Sequence, residues 1–227
     1  MTRPALTRRS LFRGAGAAAA AAAVATLAAC TPAAPNPTRT PSTGRSVAPS
    51  DNGNRILLAY FSRAGENYWN GGRRTLDTGN TEVLADLIRD RIDCDVFRIE
   101  AAEPYSDRYD ATVQRNVKEQ NNDARPRIVG DLPDLTQYDT VLLGSPIWNV
   151  QPPMIMATFA EGVDLTDKSL RPFVTYAVSG LGSTVSFYRD LGTGARLGDG
   201  LAIRGEEVRD SGTGSDVDRW LSAAGLV

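Results

Sequence analysis

The sequence predicts an α/β fold in which helices cover both faces of one parallel sheet. Short, continuous apolar runs of strand length recur along the chain, as in strands that are buried on both faces. Amphipathic helical patterns separate these runs, and a crossover helix is the common way to join parallel neighbours. The 227 residues, of which 41% are apolar, have room for five such units. We therefore expect a doubly wound sheet of five parallel strands, in three layers.

The first half of the predicted domain contains two strands and two helices. A continuous apolar run predicts the first strand at residues 56–61, and Ser62-Arg63-Ala64-Gly65 ends it. Apolar residues recur at helical spacing over 81–92, with charged residues on the opposite face, which predicts an amphipathic helix. Residues 96–99 indicate a second strand, and residues 107–120 a more polar helix.

The second half repeats this alternation. A third strand is predicted at residues 140–144 and a helix near 153–161. The apolar run at 173–178 predicts a fourth strand. A fifth strand at 201–203 and an amphipathic helix over 217–224 complete the series. No internal repeat is present, so one domain accounts for the whole pattern.

Residues 1–29 have the composition of an export signal. They contain four arginines and no acidic residue, and the pair Arg8-Arg9 precedes an Ala-rich run over residues 14–29. This run is too short to span a bilayer comfortably. The segment resembles a twin-arginine signal, which is an address read by a receptor. An ordinary secretory signal with an incidental second arginine is the alternative.

Residues 30–54 are predicted to link this signal to the domain at 55–227. Cys30 follows Leu27-Ala28-Ala29, which resembles a bacterial lipobox and implies lipidation of Cys30; a free surface thiol is the alternative. The rest of the segment is rich in Pro, Ser and Thr and cannot bury a core, so we expect a tether. The expected location is the outer face of the cytoplasmic membrane, with the lipid as the sole membrane contact.

The composition excludes several classes of chemistry. Without any His, the chain has no Ser-His triad, no His-ligated zinc and no His-based proton transfer. Two Cys form neither a disulfide framework nor a four-Cys metal site. Cys94 lies between Asp93 and Asp95, so we expect a packed structural thiol. Beyond residue 29 the chain carries 21 basic and 27 acidic side chains, which disfavours nucleic acid as a partner.

The predicted binding site lies where three strands end. In an open doubly wound sheet, ligands bind beyond the carboxyl ends of the strands. The strands ending at Phe61, Gly144 and Val178 all run into loops rich in Ser, Gly, Pro and Asn. The segment Thr78-Gly79-Asn80-Thr81-Glu82 leads directly into a helix, whose N-terminus favours a phosphate without any Lys. A plain capped helix start is the alternative.

Four segments, taken together, resemble the flavodoxin-like family. They are Tyr60–Gly65, Gly79–Glu82, Gly144–Trp148 and Ser179–Ser183, in this order. The resemblance is closest to the branch with a long first loop, interrupted between its Ser-Arg-Ala-Gly start and its Gly-Asn-Thr end. It covers essentially all of residues 55–227. It implies a sheet of strand order 2-1-3-4-5 with FMN bound at the switch point.

The resemblance also implies which residues bind FMN. The phosphate is expected to contact Ser62, Arg63, Ala64, Gly79, Asn80 and Thr81. The isoalloxazine ring is expected to contact Pro146, Ile147, Trp148 and Asn149, with Ser179, Gly180, Leu181 and Gly182 at its other edge. Trp148 is the expected aromatic contact, and a core aromatic is the alternative. Many relatives have Trp-Trp-Gly where this chain has Trp148-Asn149-Val150, so a second aromatic ring and a flexible peptide are missing.

The insertion at residues 66–77 separates the two parts of the predicted phosphate loop. It contains two aromatic residues and two arginines. A lid over the ring, a surface for a partner and a tolerated surface loop are the three alternatives. We favour the last two.

The favoured function is electron transfer by a one-domain FMN protein, exported and held by a lipid. No catalytic residue is predicted, since FMN supplies the redox chemistry. The partner is an unspecified redox protein or small-molecule acceptor, and the acidic body favours partners with basic patches. Two alternatives remain open. One is an FMN-dependent quinone or small-molecule reductase with a nicotinamide donor, and the other is a flavin-free binding lipoprotein that keeps the fold.

Overall fold

The computed structural model describes residues 55–227. The predicted export signal, the tether and the lipidated Cys30 lie outside the described residues. Within residues 55–227, no helix has both the length and the apolar character needed to cross a membrane.

Strands and helices alternate along most of the described chain. The strands are β1 (Ile56–Phe61), β2 (Gly65–Trp69), β3 (Gly72–Leu76), β4 (Asp95–Ile99), β5 (Thr140–Pro146), β6 (Ser169–Tyr176), β7 (Arg196–Leu197) and β8 (Leu201–Arg204). The helices are α1 (Asn80–Arg89), α2 (Tyr109–Asn121), α3 (Ile155–Gly162), α4 (Thr184–Asp190) and α5 (Thr213–Ala223).

The central sheet has the predicted order. It runs β4-β1-β5-β6-β7, with β8 also paired to β6, and every one of these pairs is parallel. This arrangement corresponds to the order 2-1-3-4-5 and confirms the predicted fold class. The fifth position is shared by two short strands, so the sheet has six strands rather than five. β7 pairs with the start of β6 and β8 with its end, and residues 198–200 separate the two short strands.

The core consists of two layers of side chains, one on each face of the sheet. Alternate residues of a strand point to opposite faces, and β1 shows this directly. Leu57, Ala59 and Phe61 pack on one face with α3 and α4. On the other face, the remaining β1 side chains pack with α1 and α5. Covering both faces buries β1 completely, which explains its continuous apolar sequence.

The fourth strand and the helix after it also differ from the sequence-based predictions. The fourth strand covers residues 169–176 rather than 173–178, because its first residues pair with the start of β5, Ser169 opposite Thr140. Val178 lies beyond the strand and is 74% exposed. Helix α4 was not predicted, because only seven residues form it.

The insertion after β1 is an antiparallel hairpin of β2 and β3. Its turn is Asn70-Gly71, and both residues have positive φ angles, 46° and 84°. This is the sequence preferred in two-residue hairpin turns, where both central residues adopt the left-handed conformation. No strand was predicted within this insertion, although the Asn-Gly pair is a recognised hairpin signal.

Candidate functional site

A cleft opens at the carboxyl ends of β1, β5 and β6. Its empty space is about 820 Å³, including the part that is open to solvent. The predicted cofactor contacts that line it are Ser62, Arg63, Asn80, Thr81, Pro146, Ile147, Trp148 and Asn149. The other lining residues come from the hairpin, from α2, from the end of β6 and from the loop after β8.

One end of the cleft is formed by the N-terminus of α1. The Glu82 amide donates a hydrogen bond to Ser62 Oγ, 3.1 Å away. The first intrahelical bond runs from Val83 N to the Gly79 carbonyl, so the amides of Asn80 and Thr81 lie ahead of it. Such amides, together with the helix dipole, favour an anion at this end. This end of the cleft is therefore suited to a phosphate.

Gly79 does not line the cleft, and its role is close packing. A Cβ atom on Gly79 would lie 2.3 Å from Ser62 Oγ and 2.6 Å from the Arg63 carbonyl oxygen. A side chain here would therefore push the β1 loop away from the start of α1. Ala64 is likewise absent from the lining residues, because the chain turns away into β2 directly after it.

The Arg63 guanidinium bonds to backbone carbonyls at the base of the hairpin, although Arg63 also lines the cleft. Its Nη1 donates to the Ser106 carbonyl over 2.9 Å, and its Nη2 donates to the Glu66 carbonyl. Its Nε is buried with no acceptor among residues 55–227. Burial is the main cause that lowers the pKa of Arg63. The guanidinium therefore stabilises the base of the hairpin through its hydrogen bonds to these two carbonyls.

Arg209 does not line the cleft, but it holds the start of α1, which does; sequence reasoning did not indicate this. Its Nη1 donates to Asn80 Oδ1 over 2.6 Å, and its Nη2 donates to the Thr78 carbonyl over 2.8 Å. Burial, followed by the nearby Arg74, lowers the pKa of Arg209. No local signal predicts these contacts, because 129 residues separate Arg209 from Asn80.

The other end of the cleft is lined by the loop after β5, with Trp148 at its centre. The Trp148 ring packs edge-to-face on Phe61, with centroids 5.6 Å apart, and on Tyr105, with centroids 5.1 Å apart. It also borders the cleft. Trp148 is thus both a core aromatic and a lining residue, which places an indole ring, held by two neighbours, within reach of a ligand.

A tight turn follows Trp148. The Trp148 amide donates to the Gln151 carbonyl over 2.9 Å, and the two residues between have φ angles of 50° for Asn149 and 66° for Val150. Asn is suited to this conformation, but a β-branched residue is strained in it. The chain therefore holds a strained valine where a glycine fits better.

Two neighbouring elements hold this turn in place. From α2, the Gln120 side chain donates to the Trp148 carbonyl over 3.0 Å and accepts from Asn149 Nδ2 over 2.7 Å. From the loop before α4, the Ser183 amide donates to the Val150 carbonyl over 2.8 Å. These bonds fix the turn in one conformation and account for the persistence of the strained valine.

Residues Ser179, Gly180, Leu181 and Gly182, predicted at the other edge of the ring, are not among the residues that line the cleft. They form a turn that supports the Val150 loop instead. A Cβ atom on Gly182 would lie 2.1 Å from the Val150 carbonyl oxygen. Tyr176 and Ala177, at the end of β6, line the cleft in their place.

The hairpin forms a side wall of the cleft with α2. Asn67 and Tyr68 of β2 line the cleft. Arg73 of β3 donates to both carboxylate oxygens of Asp110 over 2.9 and 2.6 Å, and its guanidinium lies 4.6 Å from the Tyr109 ring centroid. The insertion is therefore part of the site wall rather than a separate surface loop.

Glu206 holds the tip of the hairpin from the opposite side. Its Oε1 accepts a hydrogen bond from the Asn70 amide over 2.9 Å. Its Oε2 is buried, with no donor in the described part of the chain. Because Glu206 itself lines the cleft, the hairpin spans the site from α2 to the loop after β8.

Cys94 lies away from the cleft and packs against the core layer beneath α1 and α5. Burial, with a smaller contribution from Asp93 and Asp95, raises the pKa of its thiol to about 12. The thiol is therefore protonated at neutral pH, as a packed structural cysteine would be.

Comparison with known proteins gives one family and a group of similar structures. The flavodoxin family model matches residues 74–222. A proposed flavoprotein of Bacteroides eggerthii has 25% identity and a TM-score of 0.61 over 76% of this chain and 99% of its own. A proposed flavoprotein of Bacteroides uniformis has 26% identity and a TM-score of 0.60 over 75% of this chain and 99% of its own.

A more distant similarity supports the fold. A flavoprotein of Lactobacillus acidophilus, solved in complex with FMN, has 21% identity and a TM-score of 0.52 over 74% of this chain and 98% of its own. No curated protein is significantly similar in sequence.

Proposed function

Because the chain belongs to the flavodoxin family, we propose that it is an FMN-binding redox protein that transfers electrons at the outer face of the cytoplasmic membrane. The observation that carries the cofactor assignment is the α1 N-terminus at the switch point between β1 and β5. There, Ser62, Asn80 and Thr81 line the cleft, and the Asn80 and Thr81 amides lie ahead of the first intrahelical hydrogen bond. Phosphates bind at such helix N-termini, and ligands of this fold bind at this switch point.

The residues of the cleft fit FMN at both of its ends. At the α1 end, hydroxyl and amide groups of Ser62, Asn80 and Thr81 match a phosphate. At the other end, Ile147 and Trp148 provide apolar and aromatic surface, which suits a flat ring. FMN, when bound, supplies the redox chemistry, while the protein binds and orients it.

The chain's own residues orient the cofactor through three loops. Arg209 fixes the side-chain carbonyl of Asn80, which keeps the phosphate end in one arrangement. Gln120 and Ser183 fix the turn beside Trp148, which keeps the ring end in one arrangement. Tyr176 and Ala177 border the ring in place of the Ser179–Gly182 segment.

The proposed partner is a redox protein or a small-molecule acceptor, and nucleic acid is not among the proposed partners. With 21 basic and 27 acidic side chains beyond residue 29, the protein favours a partner with a basic patch. Electrostatic attraction of this kind weakens with salt. Electron transfer to such a partner is therefore expected to slow as ionic strength rises.

The location is proposed from the first thirty residues, where Arg8-Arg9 and Cys30 support folded export and lipidation. Replacing both arginines with lysine is expected to retain the protein in the cytoplasm. Cys30→Ala is expected to release the exported protein from the membrane fraction. Export of the double lysine variant, or membrane retention of Cys30→Ala, would contradict the proposal.

An FMN-dependent reductase is the second candidate, favoured by the side wall that the hairpin and α2 add to the cleft. Anaerobic mixing of the FMN-loaded protein with NADPH separates the two functions. For a carrier, the flavin absorbance near 450 nm stays unchanged with NADPH and falls with dithionite. Rapid loss of this absorbance with NADPH would replace the carrier assignment with the reductase.

A further inference from the structure

A buried tyrosine lies directly behind the aromatic residue that lines the cleft. The Tyr105 ring packs edge-to-face on the Trp148 ring, with centroids 5.1 Å apart. Tyr105 is 8% exposed and is not among the residues that line the cleft, whereas Trp148 is. Rings at this separation are in contact, so an electron can pass between them without a further carrier.

The Tyr105 hydroxyl is bonded to a buried carboxylate of α2. It donates to Glu119 Oε2 over 2.8 Å, and Glu119 is itself 9% exposed. A positioned carboxylate takes a proton directly over this distance. Tyr105 thus has a tryptophan ring on one side and a proton acceptor at its hydroxyl.

Arg115 holds this pair and opposes positive charge on the tyrosine ring. Its Nε donates to Glu119 Oε1 over 2.7 Å, and its guanidinium carbon lies 3.9 Å from the Tyr105 ring centroid. A cation over an aromatic ring is attracted by the electrons of the ring, so it disfavours a ring that has lost an electron and kept its proton. Oxidation of Tyr105 therefore requires that the hydroxyl proton leaves with the electron.

The proton is available for this step before oxidation. Burial, followed by the bond to Glu119, raises the pKa of Tyr105. The phenol is therefore neutral at neutral pH. Only removal of an electron from the ring makes the hydroxyl acidic enough to release its proton to Glu119.

We propose that Trp148, Tyr105 and Glu119 form a relay that supplies one electron to an oxidant in the cleft. The oxidant is reduced by one electron from Trp148, and Tyr105 then returns one electron to Trp148. As it does so, the O–H bond of Tyr105 breaks and the proton passes to Glu119. The products are a neutral tyrosyl radical, a protonated Glu119 and an intact Trp148.

The relay rests on the proposed function for its oxidant, which is a light-excited flavin. Transfer from Tyr105 to oxidised Trp148, however, depends on the chain alone. Because the transfer moves the oxidised site from the cleft wall to a buried residue, it slows the return of the electron from the flavin. The relay therefore allows light to reduce the flavin at the expense of a tyrosine.

The transfer is tested first in the flavin-free full chain, so that it is judged separately from the proposed function. Azide radicals, made by pulse radiolysis, oxidise tryptophan in preference to tyrosine at neutral pH. Trp69→Phe is the parent chain, because it leaves only Trp148 and Trp220, and Trp220 is buried on the other face of the sheet. The tyrosyl radical is expected to appear as the tryptophan radical decays, at a rate independent of protein concentration. Absence of a tyrosyl radical would overturn the proposal.

Two variants of the parent chain assign the electron to Tyr105 and the proton to Glu119. Tyr105→Phe is expected to abolish the rise of the tyrosyl radical. Glu119→Gln keeps an oxygen that accepts the hydrogen bond but cannot take the proton, so the rise is expected to slow at least about tenfold. A purely structural role of Glu119 predicts an unchanged rate. An unchanged rise in either variant would refute the relay.

Asp95→Asn is the matched control. Tyr138 donates to Asp95 Oδ2 over 2.7 Å, which is a second bond between a tyrosine and a carboxylate. Among the aromatic pairs of residues 55–227, none joins Tyr138 to a tryptophan, so the rate is expected to stay the same. Equal slowing by Asp95→Asn and Glu119→Gln would contradict the assignment to Glu119.

A solvent comparison covers the case in which Glu119→Gln does not fold. Transfer coupled to proton movement is expected to be slower in D2O than in water in the parent chain. Equal rates in the two solvents would overturn the proposal.

The FMN-loaded parent chain then tests the oxidant. A laser flash absorbed by the flavin is expected to produce the tyrosyl radical, and Tyr105→Phe is expected to prevent it. Absence of this radical in the FMN-loaded parent chain would overturn the proposal. A chain that binds no FMN refutes the proposed function, while the azide experiment still decides whether Tyr105 reduces Trp148.

Discussion

Arg209 Nη1 donates a hydrogen bond to Asn80 Oδ1 over 2.6 Å and so joins the loop after β8 to the first residue of α1. The second guanidinium nitrogen donates to the Thr78 carbonyl, just ahead of the helix. Two loops therefore hold the start of α1: the loop after β1 through Ser62, and the loop after β8 through Arg209. The guanidinium also adds a positive charge near the start of α1.

Arg209→Met is expected to weaken FMN binding by about tenfold, equivalent to about 1.4 kcal/mol. The variant loses the two hydrogen bonds that fix the helix start, as well as the nearby charge. Riboflavin lacks the phosphate, so its affinity is expected to change by less than about twofold. Fluorescence titrations with both flavins check the prediction.

Arg219→Met is the control for this experiment. Arg219 lies on α5 and forms an exposed ion pair with Asp216, so it is expected to change neither affinity. Equal weakening of FMN and riboflavin by Arg209→Met would show that Arg209 supports the fold in general and not the phosphate end.

Val150→Gly is expected to stabilise the protein by about 0.5–1 kcal/mol. Glycine relieves the strain of a β-branched residue with φ of 66°, and this gain exceeds the added freedom of the unfolded chain. Val178→Gly, at another exposed valine outside any strand, is the control and is expected to destabilise the protein slightly. Urea unfolding of both variants checks the prediction, and a lower stability for Val150→Gly would contradict it.

Glu206→Ala is expected to loosen the tip of the hairpin, because the Asn70 amide loses its acceptor. Hydrogen exchange measures this directly, and the Asn70 amide is expected to exchange at least about tenfold faster. Glu207→Ala changes the adjacent, exposed carboxylate and is expected to leave that rate unchanged. An unchanged rate in Glu206→Ala would rule out the hairpin contact in solution.

Cys94 is expected to react slowly with iodoacetamide in the folded protein. Its pKa is about 12, above the ordinary value, so at pH 8 very little thiolate is present. In a Cys30→Ser background, the rate is expected to rise at least about a hundredfold on unfolding in urea. Similar rates in the folded and unfolded chains would contradict the burial of the thiol.

The same shift sets a direction for stability against pH. Because the folded-state pKa of Cys94 is raised, the folded state favours the neutral thiol. The contribution of the buried Cys94 thiol to the free energy of unfolding is complete below the pKa of the unfolded chain, near 9. This contribution is lost as the pH rises towards 12, the pKa in the folded chain.

The strands and the position of the site were predictable because their signals are local. The buried run at residues 56–61 and the Gly-Asn-Thr start of α1 each lie within a few residues of sequence, and strand order followed from the family resemblance. The hairpin had a local signal as well, the Asn70-Gly71 pair. In contrast, the division of the fifth strand depends on pairing with opposite ends of β6, which no short segment encodes.

The residues that complete the site were not predictable from sequence, because their partners are distant in the chain. Arg209 reaches Asn80 across 129 positions, and Glu206 reaches Asn70 across 136. The packing of Gly182 against the Val150 carbonyl likewise joins segments far apart in the chain.

The most direct test of the cofactor assignment is a titration of the flavin-free full chain with FMN, followed by flavin fluorescence. We expect quenching that saturates at one FMN per chain, with riboflavin bound at least about tenfold more weakly, because the start of α1 binds the phosphate. Fluorescence that stays equal to that of free FMN throughout the titration would contradict it.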